Sequence, residues 1–480
     1  MANRVVTVCS DDGVAAQGLR NGITTIQREQ HLDVEFPAAV EKAAEAAAKS
    51  PRLPSLDHTD IPFVTIDPES SMDLDQAMHL ERSGDGYVVR YAIADLAAFI
   101  TAGDAIDVEA NRRGETLYGA DSKIPLHPKA LSEGAASLLP DQVRPALVWT
   151  ITLDKTGEGT DVKLERALVR SRAKLNYEGV QQQIDAGSAD EVFTLLQEVG
   201  ELRLAKEAER GGVSLPMPEQ EIEIEGDTWR LEFRTMLPVE NWNAQISLLT
   251  GFAAASMMVR ARVGILRTLP PPEAWAVKRL HRTAQALRVD WPDDQRYPDF
   301  IRSLDPNKPN EAAMVVACTT LLRGAGYAGF NGDLPAQPEH AALASEYAHV
   351  TAPLRRLVDR YALEVCVALS AGSEVPAWVL EKLPDLPKTM EESGRRSHGY
   401  EGAVLSLVEA ATLQDRVGQK FDGVVLEARR DDPHKGDVQL HTPAVEGSVT
   451  AASGDLPVGE AVTVTLAEAD VSTRVVRFTL

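Results

Sequence analysis

Three aspartates carry the spacing in this chain best suited to chemistry. Asp67, Asp73 and Asp75 lie in Thr65-Ile-Asp-Pro-Glu-Ser-Ser-Met-Asp-Leu-Asp-Gln-Ala-Met78 as a D-x5-D-x-D array. Carboxylate oxygens are hard ligands that suit Mg²⁺ or Mn²⁺. Without a cation, three converging carboxylates would repel, and one would have to hold a proton. The same spacing also describes a solvated acidic turn. Apolar residues on both sides, with Ala77-Met78 continuing the segment, point instead to a partly buried cluster.

The elements that must position these groups follow from the flanks. Ile61-Pro-Phe-Val-Thr-Ile66 reads as a buried strand. Asp67-Pro68 breaks the ladder, since proline has no N–H to donate. Pro-Glu-Ser-Ser has turn chemistry and lets the chain double back. Asp73 and Asp75 are two residues apart, so in an extended segment they point the same way.

A chain of 480 residues is long for one core, so two to four domains are expected. Hydrophobic content of 44% and charged content of 25% fit a soluble globular protein. No apolar run approaches a bilayer span, and Met-Ala-Asn-Arg opens no signal-peptide pattern. Cys9, Cys318 and Cys366 form neither a metal spacing nor a disulfide framework, which predicts a reducing, cytoplasmic setting. His79, His127, His349 and His398 are spread out and suggest no zinc cluster. The net charge of −23 argues against a protein that coats nucleic acid, but a local basic channel remains compatible with it.

Residues 1–55 read as a small α-rich module. Arg4–Cys9 is a candidate strand, Phe36–Lys49 a strong helix and Ser50–Leu56 a proline-broken linker. Gly84-Asp-Gly86 is a hairpin turn before a strand at Tyr87–Ala94. Further strands are expected at Ala146–Leu153 and 162–172. Helices are expected at Asp107–Arg113, within 177–212, and over 239–267, 311–325, 353–371 and 390–415. After about residue 418, short β runs at regular spacing describe a small barrel of the OB type.

Several stretches together resemble the ribonuclease II family, in its RNB catalytic domain. The acidic loop is similar to that family's TIDP-x4-DLDDA. Tyr91-Ala-Ile-Ala-Asp95, Thr116-Leu-Tyr118 with Ile124-Pro125, Leu138-Leu-Pro140 and Arg144-Pro145 follow in order. Tyr347–Arg356 is similar to YA-x-[FV]-T-[SA]-P-[IL]-R-[RK], and Ser393–Glu401 to SERR-x4-E. The resemblance covers roughly 55–425. It implies an α+β architecture: an RNB catalytic domain at 56–417 with a central β-sheet and surrounding helices, then an S1-like OB-fold barrel at 418–480. Family members often carry two N-terminal cold-shock barrels. About sixty residues cannot hold two, so a helix-turn-helix-like module is expected at 1–55, with readier access for structured RNA.

The activity implied is a Mg²⁺-dependent, processive 3′→5′ exoribonuclease, with Mn²⁺ as a possible substitute. It would hydrolyse single-stranded RNA to 5′-mononucleotides, as a monomer with no obligate protein partner and no membrane. Asp67, Asp73 and Asp75 would hold the metal, Asp75 being the least replaceable. Gln76 stands where the family usually has a fourth carboxylate; its amide can coordinate but brings no charge. Arg355 would clamp the scissile phosphate from near the start of a helix opened by Pro353, with Arg356 as its neighbour. The alternative for Arg355 is an i+4 ion pair with Asp359. Tyr118 would stack on a base, or serve as a half-buried strand tyrosine. Glu401 would orient substrate or remain an exposed helix glutamate, and Gly402 follows where the family tends to have arginine. Gln76 and Gly402 motivate the competing expectation, an RNA-binding protein of this fold with weak or lost catalysis.

Overall fold

The computed structural model describes residues 14–120, 122–215, 219–225, 228–234, 236–440 and 442–480. The strand expected at Arg4–Cys9 lies outside them. The chain enters through α1 (Val14–Glu29) and α2 (Ala38–Lys49). Next come β1 (Phe63–Ile66), β2 (Gln76–Ser83) and β3 (Gly86–Ala94), then α3 (Ala105–Arg113) and a two-strand hairpin, β4 (Leu117–Tyr118) and β5 (Lys123–Ile124). Two long strands, β6 (Val143–Leu153) and β7 (Gly159–Leu175), complete a closed barrel ordered β1-β2-β3-β6-β7. Closure comes from β1, which pairs antiparallel with β2 at Val64↔Met78 and parallel with β7 at Ile66↔Leu175.

Alternation gives these strands two working faces. Val89, Tyr91 and Ile93 of β3 lie opposite Ile151, Trp149 and Leu147 of β6 and share one core. The intervening Ala92, Ala94, Ala146 and Val148 belong to a second core, with α2 and Phe63. The sequence-predicted sheet is therefore present, and it closes on itself.

Helices α4 (Tyr177–Asp185) and α5 (Glu191–Arg210) follow, then the hairpin β8 (Glu219–Glu225) and β9 (Thr228–Arg234). The helix expected over 239–267 is shorter: α6 runs Pro238–Ala261. Arg262 then takes a left-handed conformation, φ 59°, and residues Val263–Thr268 form β10. The helical period fails there because Val263-Gly-Ile-Leu pairs as a strand with β11 (Gly326–Asn331). Between those strands lie α7 (Ala274–Ala286), α8 (Tyr297–Ser303) and α9 (Pro309–Cys318), with a core of their own. Beyond them come the short pair β12 (Glu339–His340) and β13 (Ser345–Glu346), then α10 (Leu357–Ala371), α11 (Ala377–Lys382) and α12 (Leu386–Leu413).

The C-terminal strands β14 (Lys420–Ala428), β15 (Lys435–Leu440), β16 (Glu446–Thr450), β17 (Ala461–Asp470) and β18 (Val475–Thr479) close a second barrel, ordered β14-β15-β16-β18-β17. It does not stand apart. Val404, Leu407 and Val408 of α12 and Leu19, Ile23 and Ile26 of α1 share a core with Val425, Leu440 and Phe478. This corrects the expected N-terminal module. Its described part is helical, but α1 packs on α12 and the second barrel while α2 packs on the first. The apolar faces of the two helices are satisfied by different cores, so they do not form a helix-turn-helix pair.

Cys318 and Cys366 are buried free thiols, both raised well above the ordinary thiol range by burial. Among the described residues, no helix is long and apolar enough to cross a membrane.

Candidate active site

The acidic loop is held by backbone groups on both sides of each aspartate. At the end of β1, Asp67 N–H still donates to Leu175 O of β7 at 3.0 Å, so Asp67 leaves a fixed ladder. Ser71 N–H closes the turn onto Pro68 O at 3.0 Å. Ser137 then clamps the far side. Its hydroxyl donates to Met72 O at 2.6 Å and accepts from Leu74 N–H at 3.0 Å. Leu74 is fully buried, which anchors the segment between Asp73 and Asp75. Nothing in the sequence singled out Ser137, because its role depends on a contact 63 residues away.

The second wall is the turn that precedes α10. The sequence predicted a helix from Pro353; α10 begins at Leu357. The physical reason is Asp359, fully buried and committed backwards. Its carboxylate accepts Ala352 N–H at 2.8 Å and grips Arg356, with Nη2 at 2.8 Å and Nε at 2.5 Å. These bonds fold residues 352–356 into a turn. They also decide the pairing that the sequence left open: the partner of Asp359 is Arg356 at i+3. Arg355 is thereby left to face the acidic loop. Its Nε lies 3.6 Å from Asp75 Oδ2, while its carbonyl is held by Thr116 N–H at 2.9 Å.

Asp75 is 4% exposed and receives Leu354 N–H on Oδ1 at 2.8 Å. Burial pushes its carboxyl up to about 8, Asp73 and Asp359 add to the rise, and Arg355 and the Leu354 N–H oppose it. Burial likewise lifts Asp67 to about 6, with Asp73 raising it further and Arg355 and Lys174 working against the shift. Asp67 and Asp75 thus both feel Asp73 and Arg355, so the three carboxylates and the guanidinium share one locus.

Tyr118, 39% exposed on β4, completes the rim. Its phenol is raised by burial and by Asp73 and Asp75, while the Arg355 charge works against the shift. Opposite it in the hairpin is Lys123, a residue that sequence reasoning missed. Lys123 Nζ lies 2.6 Å from Asp73 Oδ1 and 3.0 Å from Glu133 Oε1.

Three expected site residues sit differently. Gln76 spends its amide on the scaffold: the oxygen accepts from Tyr91 hydroxyl at 2.9 Å and the nitrogen donates to Thr351 O at 2.5 Å. Arg356 is locked in its ion pair with Asp359. Glu401 is exposed on α12 and accepts from Ser397 Oγ at 2.9 Å; the charge that feels it is Glu115, beside Arg356 rather than among the aspartates.

Among the described residues, no three His, Cys, Asp or Glu side chains form a ready-made metal cage. The donor chemistry nevertheless suits a hard divalent cation. Asp67 and Asp75 are carboxylates whose charge the fold disfavours, which is the condition a cation relieves.

A family model for the RNB domain matches residues 56–369, and one for the RNase II-type exonuclease C-terminal S1 domain matches 419–480. Ribonuclease R of Escherichia coli K12 is 26% identical over 455 residues, covering 88% of this chain and 54% of the relative. Exoribonuclease 2 of Vibrio parahaemolyticus is 34% identical over 186 residues, 36% of this chain and 28% of the relative. The chain spans about half the length of the ribonuclease R relatives it matches. Among solved structures, Mycoplasma genitalium RNase R in complex with ribose-methylated single-stranded RNA superposes with a TM-score of 0.84 at 21% identity, over 96% of this chain and 78% of that one. Yeast Ssd1, a pseudonuclease, superposes at 0.71 with 15% identity, over 90% and 55%.

Proposed function

The chain belongs to the RNB family, and on that premise we propose that it is a processive 3′→5′ exoribonuclease, hydrolysing single-stranded RNA to 5′-mononucleotides with Mg²⁺. The observation that carries this is the convergence of Asp67, Asp73 and Asp75 with Arg355 and Tyr118 from segments far apart in sequence.

In this reading Asp67, Asp73 and Asp75 hold Mg²⁺, or Mn²⁺ in its place. A bound divalent ion supplies an activated water and neutralises charge developing on the phosphate. The protein's own residues do the positioning. Arg355 is half-exposed and always charged, and its fork suits the oxygens of the scissile phosphate. When phosphate arrives, the 3.6 Å contact with Asp75 is the one exchanged. Tyr118 offers a ring face to the terminal base, a contact that any base can make. Arg356 acts through Asp359, by setting the turn that aims Arg355. Gln76 holds the β2 end against Thr351, so the negative charge for the metal comes from the aspartates. Glu401 would orient substrate from the α12 side. The scarcity of paired cysteines fits a cytoplasmic residence for such an enzyme.

The test is digestion of uniformly labelled single-stranded RNA with Mg²⁺. Progressive release of 5′-mononucleotides is expected, lost on Asp75→Asn or with a chelator. Intact RNA, or internal cuts without mononucleotides, would contradict the proposal. Gln76 and the likeness to a pseudonuclease fold favour one competing reading, an RNA-binding protein with weak or lost catalysis. Tight RNA retention without turnover, unchanged by Asp75→Asn, would select it.

A further inference from the structure

Lys123 stands in the aspartate centre without a task in the chemistry proposed above. Its ammonium lies 2.6 Å from Asp73 Oδ1 and 3.0 Å from Glu133 Oε1, and the side chain is 22% exposed. Burial works against the charge, but the bonds and charges of the two carboxylates outweigh it, so the amine is held above the ordinary lysine range. A compact ammonium in contact with two carboxylates occupies a place that a small cation could take.

The fold builds this place from both sides. Lys123 is set by the β4–β5 register: Ile124 beside it pairs with Leu117, and both are buried. Just beyond, Leu126 N–H donates to Thr116 Oγ1 at 3.0 Å. Glu133 lies in a π-helical turn, Leu131–Ala135, closed by Ala136 N–H on Leu131 O at 3.0 Å. Such turns are rare and occur frequently at functional sites. Leu131 and Ala136 are fully buried, and the Ser132 hydroxyl donates to His127 O at 3.1 Å. The same segment supplies Ser137, the clamp of the acidic loop, and Leu138, whose N–H donates to Leu74 O at 3.0 Å. Glu133 and the aspartates thus belong to one stitched framework, and Lys123 reaches into it from the hairpin.

Charge decides how many divalent ions this centre holds. Asp67, Asp73, Asp75 and Glu133 bring four negative charges when ionised, and Lys123 and Arg355 bring two positive ones. One divalent ion neutralises the remainder. A second would leave the pocket positive by two, with no help from Gln76, whose uncharged amide is already bonded to Thr351 and Tyr91. The donor set agrees. Asp73 gives Oδ1 to the ammonium, which leaves Oδ2 for a metal held with Asp67 and Asp75. In two-metal sites the ions lie roughly 3.5–4 Å apart, a separation that one carboxylate can bridge with its two oxygens.

We propose that the centre takes a single divalent ion, and that Lys123 is a permanent internal cation in the position of a second. The inference rests on the reading of the aspartates as the metal site of an RNA-hydrolysing enzyme, and it fixes the number of ions that site accepts. The positive charge on the Asp73–Glu133 side is then supplied by the chain itself, whatever the Mg²⁺ concentration.

The experiment titrates Mn²⁺ into the full chain without RNA and counts bound ions from the loss of the free-ion signal in electron paramagnetic resonance. An acidic surface also collects Mn²⁺, so the count is taken above that of a variant carrying Asp67→Asn, Asp73→Asn and Asp75→Asn. The wild type is expected to exceed this baseline by one ion. Lys123→Met and Lys123→Gln are expected to exceed it by two, with the dipolar broadening of a close Mn²⁺ pair. Lys123→Arg should return to one, as should Lys123→Met combined with Glu133→Gln. Thermal unfolding in chelator identifies any variant that has lost the fold, and the wild-type count bears on the proposal without a Lys123 variant. Two ions in the wild type, or one in both Lys123→Met and Lys123→Gln, would overturn the proposal. A wild type that binds no ion above the baseline would instead refute the metal-dependent reading beneath it.

Discussion

Asp75 is placed where ionisation is costly, so Asp75→Asn should stabilise the metal-free protein while abolishing hydrolysis. The carboxyl is 4% exposed, and burial moves it from an ordinary 3.8 to about 8. A carboxyl raised in this way contributes stability below its unfolded value, and that contribution is lost as pH rises through the folded value. Between 3.8 and about 8 the native state retains a proton that the unfolded chain would release, a difference worth up to ~6 kcal/mol at about 1.4 kcal/mol per unit. Asparagine removes the titration, keeps the shape and can still accept Leu354 N–H. It forfeits the contact with half-exposed Arg355, worth about 1 kcal/mol or less. A net gain of roughly 2 kcal/mol at pH 8 is a restrained expectation, equivalent to about 4–8 °C in Tm. The assay is thermal unfolding in a chelator from pH 5 to pH 9, with the gap between variant and wild type closing as pH falls. Added Mg²⁺ or Mn²⁺ should then raise the Tm of the wild type and leave the variant nearly unchanged, since a ligand stabilises only the state that binds it. An Asp75→Asn protein less stable than wild type at pH 8 in chelator, or a gap independent of pH, would refute the reasoning.

Lys123→Met should strengthen Mn²⁺ binding, read by calorimetric titration, because it frees Asp73 Oδ1 from an ammonium 2.6 Å away. The same change should cost roughly 1–3 kcal/mol of metal-free stability, since Asp73 and Glu133 lose their shared cation. Gly251→Ala should destabilise by roughly 1–3 kcal/mol in denaturant unfolding, because a Cβ there would enter the Tyr347 ring and meet Ala348 O, on the segment leading into the site turn. Two histidines held neutral by desolvation act against the raised carboxylates as pH falls. His127 is buried and neutral, held down to about 3 by desolvation, so its contribution is present above its ordinary value of 6.5 and lost as pH falls toward about 3. His340, lowered to about 4 chiefly by burial, acts in the same direction. Between pH 6.5 and pH 4 each such proton should therefore cost about 1.4 kcal/mol per pH unit, opposing the gain from Asp67 and Asp75, and His127→Gln, followed in urea, should remove its share of that slope.

Strand existence was legible because alternation is local. Tyr87–Ala94 and Ala146–Leu153 carry it in their own residues, and the regular β runs after 418 carry the second barrel. Closure of the first barrel was not legible, because it depends on β1 meeting β7 more than a hundred residues later. The end of α6 at Ala261 was missed for a related reason. Val263–Leu266 continue an apolar run that fits either period, and only the partner strand β11 decides it. In the candidate site, Asp67, Asp73 and Asp75 were singled out by spacing, and Arg355 and Tyr118 by the family resemblance. Lys123, Ser137 and Asp359 were not, since each acts through a partner whose proximity only the fold creates. A lysine before Ile124-Pro125 carries no signal of its own; its meaning comes from the hairpin register that sets it opposite Tyr118.

Lys123 and Gln76 act on the same quantity, the negative charge available to a cation. Gln76 replaces a carboxylate that the family usually places there, and Lys123 brings an ammonium onto one that remains. Each change makes the pocket less negative by one charge, so the two compound. The pocket is still not balanced. Asp67 and Asp75 remain raised to about 6 and about 8, although Arg355 opposes both shifts. A pocket that had given up cation binding would be relieved by further neutral substitutions, as a buried unpaired charge otherwise costs stability without return. This one retains two disfavoured carboxylates, a half-exposed guanidinium beside them and a serine clamp that fixes their backbone. Strain kept at one place and supported from several directions is characteristic of a working site. On the proposed function, the balance of charge thus favours a more weakly held metal over a fold that has discarded it. In activity measured against Mg²⁺ concentration, the distinction appears as a high half-saturating concentration that Lys123→Met lowers, against no turnover at any concentration.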